Sequence, residues 1–286
     1  MRIAHLSDIH WNLRPPFGRL LGKRLLGTAN LVFGGRGKAY SNAVQQELVR
    51  SVLALAPDAV VISGDLTQTA LDEEFAWARR DLQPLLDAVP TLVIPGNHDV
   101  YTRGARDEQR IRQHFGDQMR LGDDGLGRLD VGDVTVLGLD PCRPTPLSSG
   151  FLPKAQLQAL AAALASPELA ARQLVLTLHY PLIHSDGRPY EGLNHGLRNA
   201  RALLEVLGAA PRLPRLVMHG HKHHATVLPL VLPNGALLVC NAGSGGYGYQ
   251  PPRQATFQVY DLGEAGPLVR RFAHDGATFT EVQLPL

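Results

Sequence analysis

Five short stretches of the chain carry carboxylate, imidazole or amide side chains at close spacing, and each follows an apolar run. They are Ser7-Asp8-Ile9-His10, Ser63-Gly64-Asp65, Pro95-Gly96-Asn97-His98-Asp99, His179-Tyr180-Pro181 and His219-Gly220-His221-Lys222-His223. Taken alone, Gly96-Asn97-His98-Asp99 reads equally well as a turn, because Gly and Asn form turns and a Pro-Gly pair ends strands. Five strand ends with the same chemistry ask for another reason. Asp8, His10, Asp65, Asn97, His179, His221 and His223 together offer seven oxygen or nitrogen donors. That is too many for one tetrahedral zinc and suits two ions sharing a carboxylate. In extended backbone residues i and i+2 lie on one side, so Asp8/His10 and His221/His223 are each expected to present a pair. Gly64, Gly96 and Gly220 let the chain turn tightly beside the donors. A donor set without thiolate suits Mn, Fe and Zn alike.

Such groups meet only if the elements carrying them do. Short β-branched runs alternate with helical patterns, the signature of βαβ units and of a sheet covered on both faces, so the fold class is α/β. Core strands are expected at 2–6, 59–62, 92–94, 134–139, 174–178 and 216–218, with helices at 41–56, 71–89, 153–164 and 199–207. Pro153 fits a first helical turn and Asn199 an N-cap. From residue 225 to 286 the pattern changes to strands joined by turns (227–232, 237–241, 256–260, 268–272, 278–284), which reads as a second, mainly antiparallel sheet. In open α/β sheets the carboxyl ends of the strands line one crevice, where the five stretches would converge. With 286 residues and 44% apolar content the chain is expected to be a single domain, 1–286, able to bury a large core.

A formal charge of +2 is too small to suggest nucleic-acid binding, and none is expected. Cys142 and Cys240 lack paired spacing and read as small buried side chains in a reducing compartment. Met1-Arg2-Ile3-Ala4-His5 turns polar too soon for a secretory leader, and no apolar stretch reaches membrane-spanning length, so a cytoplasmic location is expected.

D-x-H, G-D, G-N-H-D, a lone His and G-H-x-H, in that order over residues 3 to about 245, resemble the calcineurin-like metallophosphoesterases. The resemblance implies a four-layer αββα sandwich with a dinuclear centre at the strand ends. It places Asp8, His10 and His223 on the first metal, Asp65 as the bridge, and Asn97, His179 and His221 on the second. A water or hydroxide between the ions would attack phosphorus in line. His98 would stabilise phosphoryl charge or protonate the leaving oxygen, with Asp99 fixing its tautomer and orientation. Gly138-Leu139-Asp140 followed by Gly150, Leu152 and Gln156-Leu157 further resembles the bacterial class III, cyclic-nucleotide-type phosphodiesterases. A non-catalytic scaffold of the same family would be expected to have lost donors, and here all are present. A nucleic-acid-processing member would be expected to show a basic excess, which is lacking.

His5 is expected in the core, and His224 reads as a partner of the site or as a surface residue. Arg188, His195 and Arg198, around the segment after His179, are candidate substrate contacts or parts of a solvated loop. Asp72, Glu73 and Glu74 read as charges favourable at a helix N-terminus. Gly243-Ser244-Gly245-Gly246-Tyr247-Gly248 lacks phosphate-loop spacing and reads as a flexible rim.

Residues 13 to 40 form a basic insertion. No acidic residue occurs from Trp11 to Gln46, while Arg14, Arg19, Lys23, Arg24, Arg36 and Lys38 supply six positive charges. Phe17, Leu20, Leu21 and Leu25 recur at helical spacing. The segment reads either as a lid packing its leucines onto the domain, or as a peripheral contact for a membrane or lipid through residues 13–38. Lys23-Arg24-Leu25-Leu26-Gly27 with Asn30 and Tyr40 is similar to family members that act on UDP-2,3-diacylglucosamine. The substrate expected is therefore a phosphodiester or pyrophosphate, lipid-linked in that case, with a soluble cyclic nucleotide or glycerophosphodiester as the alternative.

Overall fold

The first strand of the chain pairs with a strand from its last part. A computed structural model of the protein describes residues 1–13, 39–145 and 147–284. The six basic residues and the leucine stripe of the insertion lie at 14–38, outside the described residues. In chain order the strands are β1 (Arg2–Leu6), β2 (Ala59–Ile62), β3 (Thr91–Val93), β4 (Gly127–Val131), β5 (Val134–Gly138), β6 (Gln173–Thr177), β7 (Leu216–His219), β8 (Thr226–Leu232), β9 (Gly235–Asn241), β10 (Thr256–Gly263), β11 (Gly266–His274) and β12 (Phe279–Val282). The α-helices are α1 (Asn42–Ala54), α2 (Asp72–Ala88), α3 (Arg103–Asp107), α4 (Arg110–Met119), α5 (Lys154–Ala165) and α6 (Ala200–Ala209). No helix among the described residues is long and apolar enough to cross a membrane.

Two six-stranded sheets result, ordered β12-β11-β10-β1-β2-β3 and β4-β5-β6-β7-β9-β8. Period-two alternation decides what each strand face touches. Ile3, Ala59, Val61 and Leu92 of the first sheet meet Val134, Val136, Val175, Leu216 and Met218 of the second in one buried layer. The alternate residues Ala4, Leu6, Val60 and Ile62 pack under α1, α2 and α4. On the far side, Leu174, Leu176, Val217 and Val239 pack under α5 and α6. The fold is thus an αββα sandwich, as the resemblance implied.

The expected separate antiparallel sheet at residues 225–286 does not form. β8 and β9 extend the second sheet, with β9 parallel to β7, while β10 pairs antiparallel with β1, Arg2 opposite Asp261. β1 and β7 are each core strands with an edge to fill, and unpaired backbone there would be costly. The acidic triplet also needs correction. Asp72 and Glu73 are exposed, but Glu74 is buried and accepts from the backbone N–H of Leu13, Thr69 and Leu71 at 3.1, 2.9 and 3.1 Å. Asn199 is the N-cap residue of α6, yet its side chain exchanges hydrogen bonds with the Leu152 backbone instead of capping the helix.

Candidate metal centre

β1 and β2 end side by side, and their parallel pairing continues into the loops. Ser63 N–H donates to Leu6 O, then Asp8 N–H to Gly64 O and His10 N–H to Asp65 O. This carries Asp8, His10 and Asp65 to one place. The pairs are not delivered by extended backbone as expected. Asp8, His10, Asp65, His221 and His223 all have φ between 51° and 72°, the left-handed region that non-glycine residues rarely occupy. Gly96 is required for a related reason: a Cβ there would lie 2.1 Å from both the backbone nitrogen and Oδ1 of Asp65.

The donors form two groups. Asp8, His10, Asp65 and His223 offer atoms all within 4.8 Å of one another, and so do Asp65, His179 and His221. Asp65 belongs to both. Its Oδ1 accepts the His98 backbone N–H at 2.7 Å, and its Oδ2 lies 3.8 Å from His10 Nε2 and 3.4 Å from His179 Nε2. Asn97 joins the second group, with Oδ1 at 2.8 Å from His221 Nδ1 and 3.1 Å from His179 Nε2. Asp8 Oδ2 accepts from Ser7 Oγ and His221 N–H, at 2.6 and 2.9 Å. Asp8 Oδ1 is buried, and its ionic partner His223 Nε2 lies 3.0 Å away.

Several of these contacts suit a bound cation. His10 gives Nδ1–H to the Thr67 carbonyl and His179 gives Nδ1–H to the Ser63 carbonyl, leaving the Nε2 lone pairs inward. His10 Nε2 then faces His223 Nε2 at 3.4 Å, and His179 Nε2 faces His221 Nδ1 at 3.3 Å. Asp8 and Asp65 are buried carboxylates with only imidazoles as ionic partners among the described residues. Buried charge of one sign calls for a partner. Burial opposes ionisation of Asp65, but His179 and His98 outweigh it and hold its carboxyl well below the usual range. Burial likewise opposes charge on His179, while Asp65 and then Asp8 raise it to about 9, so without a cation its Nε2 holds a proton that a bound ion would displace. Burial pushes His10 down to about 3. The oxygen and nitrogen donors fit two divalent ions that share Asp65.

His98 sits beside this cluster and lines a cleft of about 650 Å³. Its Nδ1 donates to the Gln68 carbonyl at 2.6 Å. Asp99 was expected on that nitrogen and is elsewhere: its carboxylate accepts from the backbone of Leu66, Thr67 and Gly96 at 3.2, 2.9 and 2.9 Å. A buried carboxylate collecting three backbone donors ties the two donor loops together and has no reach left for the imidazole. Of the candidate substrate contacts, His195 lines the cleft, its ring centroid 5.7 Å from that of His221. Arg188 is exposed and paired with Asp186 at 2.7 Å, and Arg198 is exposed; neither lines the cleft.

Other cleft residues were not foreseen as a set. Tyr40 and Tyr247 stack at 5.0 Å, and Tyr247 Oη lies 2.6 Å from His223 Nδ1. The glycine-rich segment bearing Tyr247 is a bonded wall: Gly245 N–H donates to Ser7 O and Ser244 Oγ to Asp8 O. His224 lines the cleft as well. His5 is in the core as expected, between Tyr260 Oη and Ser63 Oγ, and both cysteines are buried and free.

Residues 1–225 match the family model for calcineurin-like phosphoesterases. The chain is 24% identical over 180 residues to a probable cyclic nucleotide phosphodiesterase of Ruthia magnifica subsp. Calyptogena magnifica, covering 63% of this chain and 68% of that protein. It is 35% identical over 101 residues to a glycerophosphodiester phosphodiesterase of Enterobacter lignolyticus, covering 35% of this chain and only 30% of that enzyme. A dimetal phosphatase from Danio rerio has a similar structure, with a TM-score of 0.61 at 15% identity over 99% of both chains. At that identity the likeness concerns the fold.

Proposed function

The chain belongs to the calcineurin-like phosphoesterases and is a metal-dependent phosphohydrolase, and from that premise we propose that it hydrolyses small phosphodiesters at the Asp65-centred site. The observation that carries the reading is the membership of Asp65 in both donor groups. In this assignment Asp8, His10 and His223 hold one ion, Asn97, His179 and His221 hold the other, and Asp65 lies between. When bound, such a pair supplies Lewis acidity toward a water molecule and toward the phosphoryl oxygens. The relatives named as phosphodiesterases support a diester over a monoester.

The protein's own part follows from how its side chains are held. The Ser63 and Thr67 carbonyls orient His179 and His10, and Tyr247 bears on His223. With Nδ1–H engaged by Gln68 O, His98 has Nε2 to carry the proton given to the leaving oxygen. Asp99 acts by holding the loops that carry Asp65 and Asn97 in place. A lipid-linked nucleotide such as UDP-2,3-diacylglucosamine, with its membrane contact, rests on residues 13–38, and the described residues add no support to it.

A substrate panel on protein reconstituted with Mn(II) tests the reading. It compares bis(p-nitrophenyl) phosphate, a 3′,5′-cyclic nucleotide, a glycerophosphodiester, p-nitrophenyl phosphate and a lipid-linked nucleotide diphosphate. Fastest turnover of a soluble diester is expected; exclusive turnover of the monoester or of the lipid-linked compound would overturn it.

A further inference from the structure

Arg271 stands in the cleft without the carboxylate that a half-buried arginine ordinarily has. On β11, Phe272 packs on the helix-covered face, so Arg271 shares the opposite face with Val269, which packs against the layer between the sheets. Its register partner on β10 is Gln258, whose Nε2 reaches Thr226 O at the start of β8. Arg271 therefore lies where the inter-sheet layer opens into the cleft that also holds His98 and Asp65. Its Nε is buried and has no hydrogen-bond partner, and no ion pair engages it among the described residues. Its neighbour on the same strand, Arg270, is by contrast paired with both Glu281 and Asp261. Burial alone pulls the Arg271 guanidinium below its ordinary range, with no opposing charge to raise it. Arg253 and Lys222 also line the cleft, and Asp65 is the one carboxylate among the residues lining it.

A desolvated guanidinium without a partner is costly unless an anion completes it, and a planar fork of donors matches phosphate or carboxylate oxygens. The donor groups around Asp65 already account for the scissile phosphoryl group. We propose that Arg271, with Arg253 lining the same cleft, holds a second anionic group of the substrate, so that the preferred substrates are phosphodiesters carrying an additional phosphate or carboxylate. This rests on the phosphodiesterase reading and narrows its substrate class. A cleft of about 650 Å³ is large enough for a nucleotide-sized ester.

The test uses the full chain loaded with Mn(II) and two matched probe pairs. One pair is thymidine 5′-(p-nitrophenyl phosphate) and its 3′-phosphorylated counterpart, compared by kcat/KM. The other is thymidine 5′-monophosphate and thymidine 3′,5′-bisphosphate, compared by calorimetric affinity. The wild type is expected to favour the extra phosphate by about tenfold in both pairs, the size of one charge-assisted contact. Arg271→Met should bring both ratios near one, and Arg271→Lys should keep part of the preference. Ratios near one in the wild type, or a preference that survives in Arg271→Met, would overturn the proposal. A binding preference without turnover of either ester would leave the anion site standing and remove the phosphodiesterase reading. Turnover without preference would do the reverse.

Discussion

His98 differs from the other imidazoles of the site in where its second nitrogen is committed. All three of His10, His179 and His98 spend Nδ1 on a backbone carbonyl, but His10 and His179 turn Nε2 toward Asp65, whereas His98 belongs to neither donor group. Its backbone N–H nevertheless bonds Asp65, so the main chain supports the donor cluster while the residue lines the cleft. His98→Ala is therefore expected to keep both ions while losing roughly two to four orders of magnitude in kcat, the range for positioned acid–base groups. Metal analysis and turnover on one preparation decide it, and loss of an ion would make His98 a ligand. The convergence of these seven residues was legible in the sequence because each sits in a short motif after an apolar run. Arg253 and Arg271 were not, because one lies in the turn before β10 and the other on β11, and neither carries a local signal.

At the scale of the elements, what organises the site is the way neighbouring loops are fastened. Asp99 satisfies three backbone N–H groups from two donor loops, and Asp99→Ala would strand them. Each buried donor without a replacement costs about 1–3 kcal/mol, so thermal unfolding should show a loss on the order of 3 kcal/mol. A variant with wild-type stability and a rate loss like that of His98→Ala would instead restore Asp99 as a catalytic partner.

Glu74 fastens α2 to the end of the first loop through Leu13 N–H. Burial raises its carboxyl from 4.5 to about 7, against the pull of the backbone donors from Leu13, Thr69 and Leu71. The folded pKa lies above the unfolded one, so this contribution to stability is complete below about 4.5 and is lost as pH rises through about 7. Relative to Glu74→Gln, the wild type should lose on the order of 3 kcal/mol between pH 4.5 and 7.5 in urea titrations. A pH-independent difference would show that Glu74 is ionised throughout. The burial of Glu74 was hidden in the sequence, where an acidic triplet opening a helix reads as surface charge. α4 leaves only a weak pattern, although Ile111, Phe115 and Met119 recur at four-residue spacing and are buried, because polar residues and Gly116 fill the positions between them. β4 was hidden by Arg128 and Asp130 on its exposed face.

For the whole molecule, the sandwich does what no single βαβ unit could, since the donors come from strands of both sheets. Asp8, His10, Asp65 and Asn97 follow β1, β2 and β3 of the first sheet, while His179, His221 and His223 follow β6 and β7 of the second. Packing the sheets face to face through Ile3, Val61, Val175 and Met218 closes the two donor groups onto the shared carboxylate. Local patterns revealed most strands and the convergence of their ends. They could not reveal that β10 would return to pair with β1 across some 250 residues, because register between distant strands leaves no periodic trace. The same architecture makes the central claim measurable. Metal-free protein is titrated with Mn(II) while bound ions are counted and the electron paramagnetic resonance spectrum is recorded. Two ions per chain with the signature of an exchange-coupled pair are expected, with loss of that signature in Asp65→Ala. A single bound ion, two uncoupled ions, or an unchanged coupled pair in Asp65→Ala would contradict it.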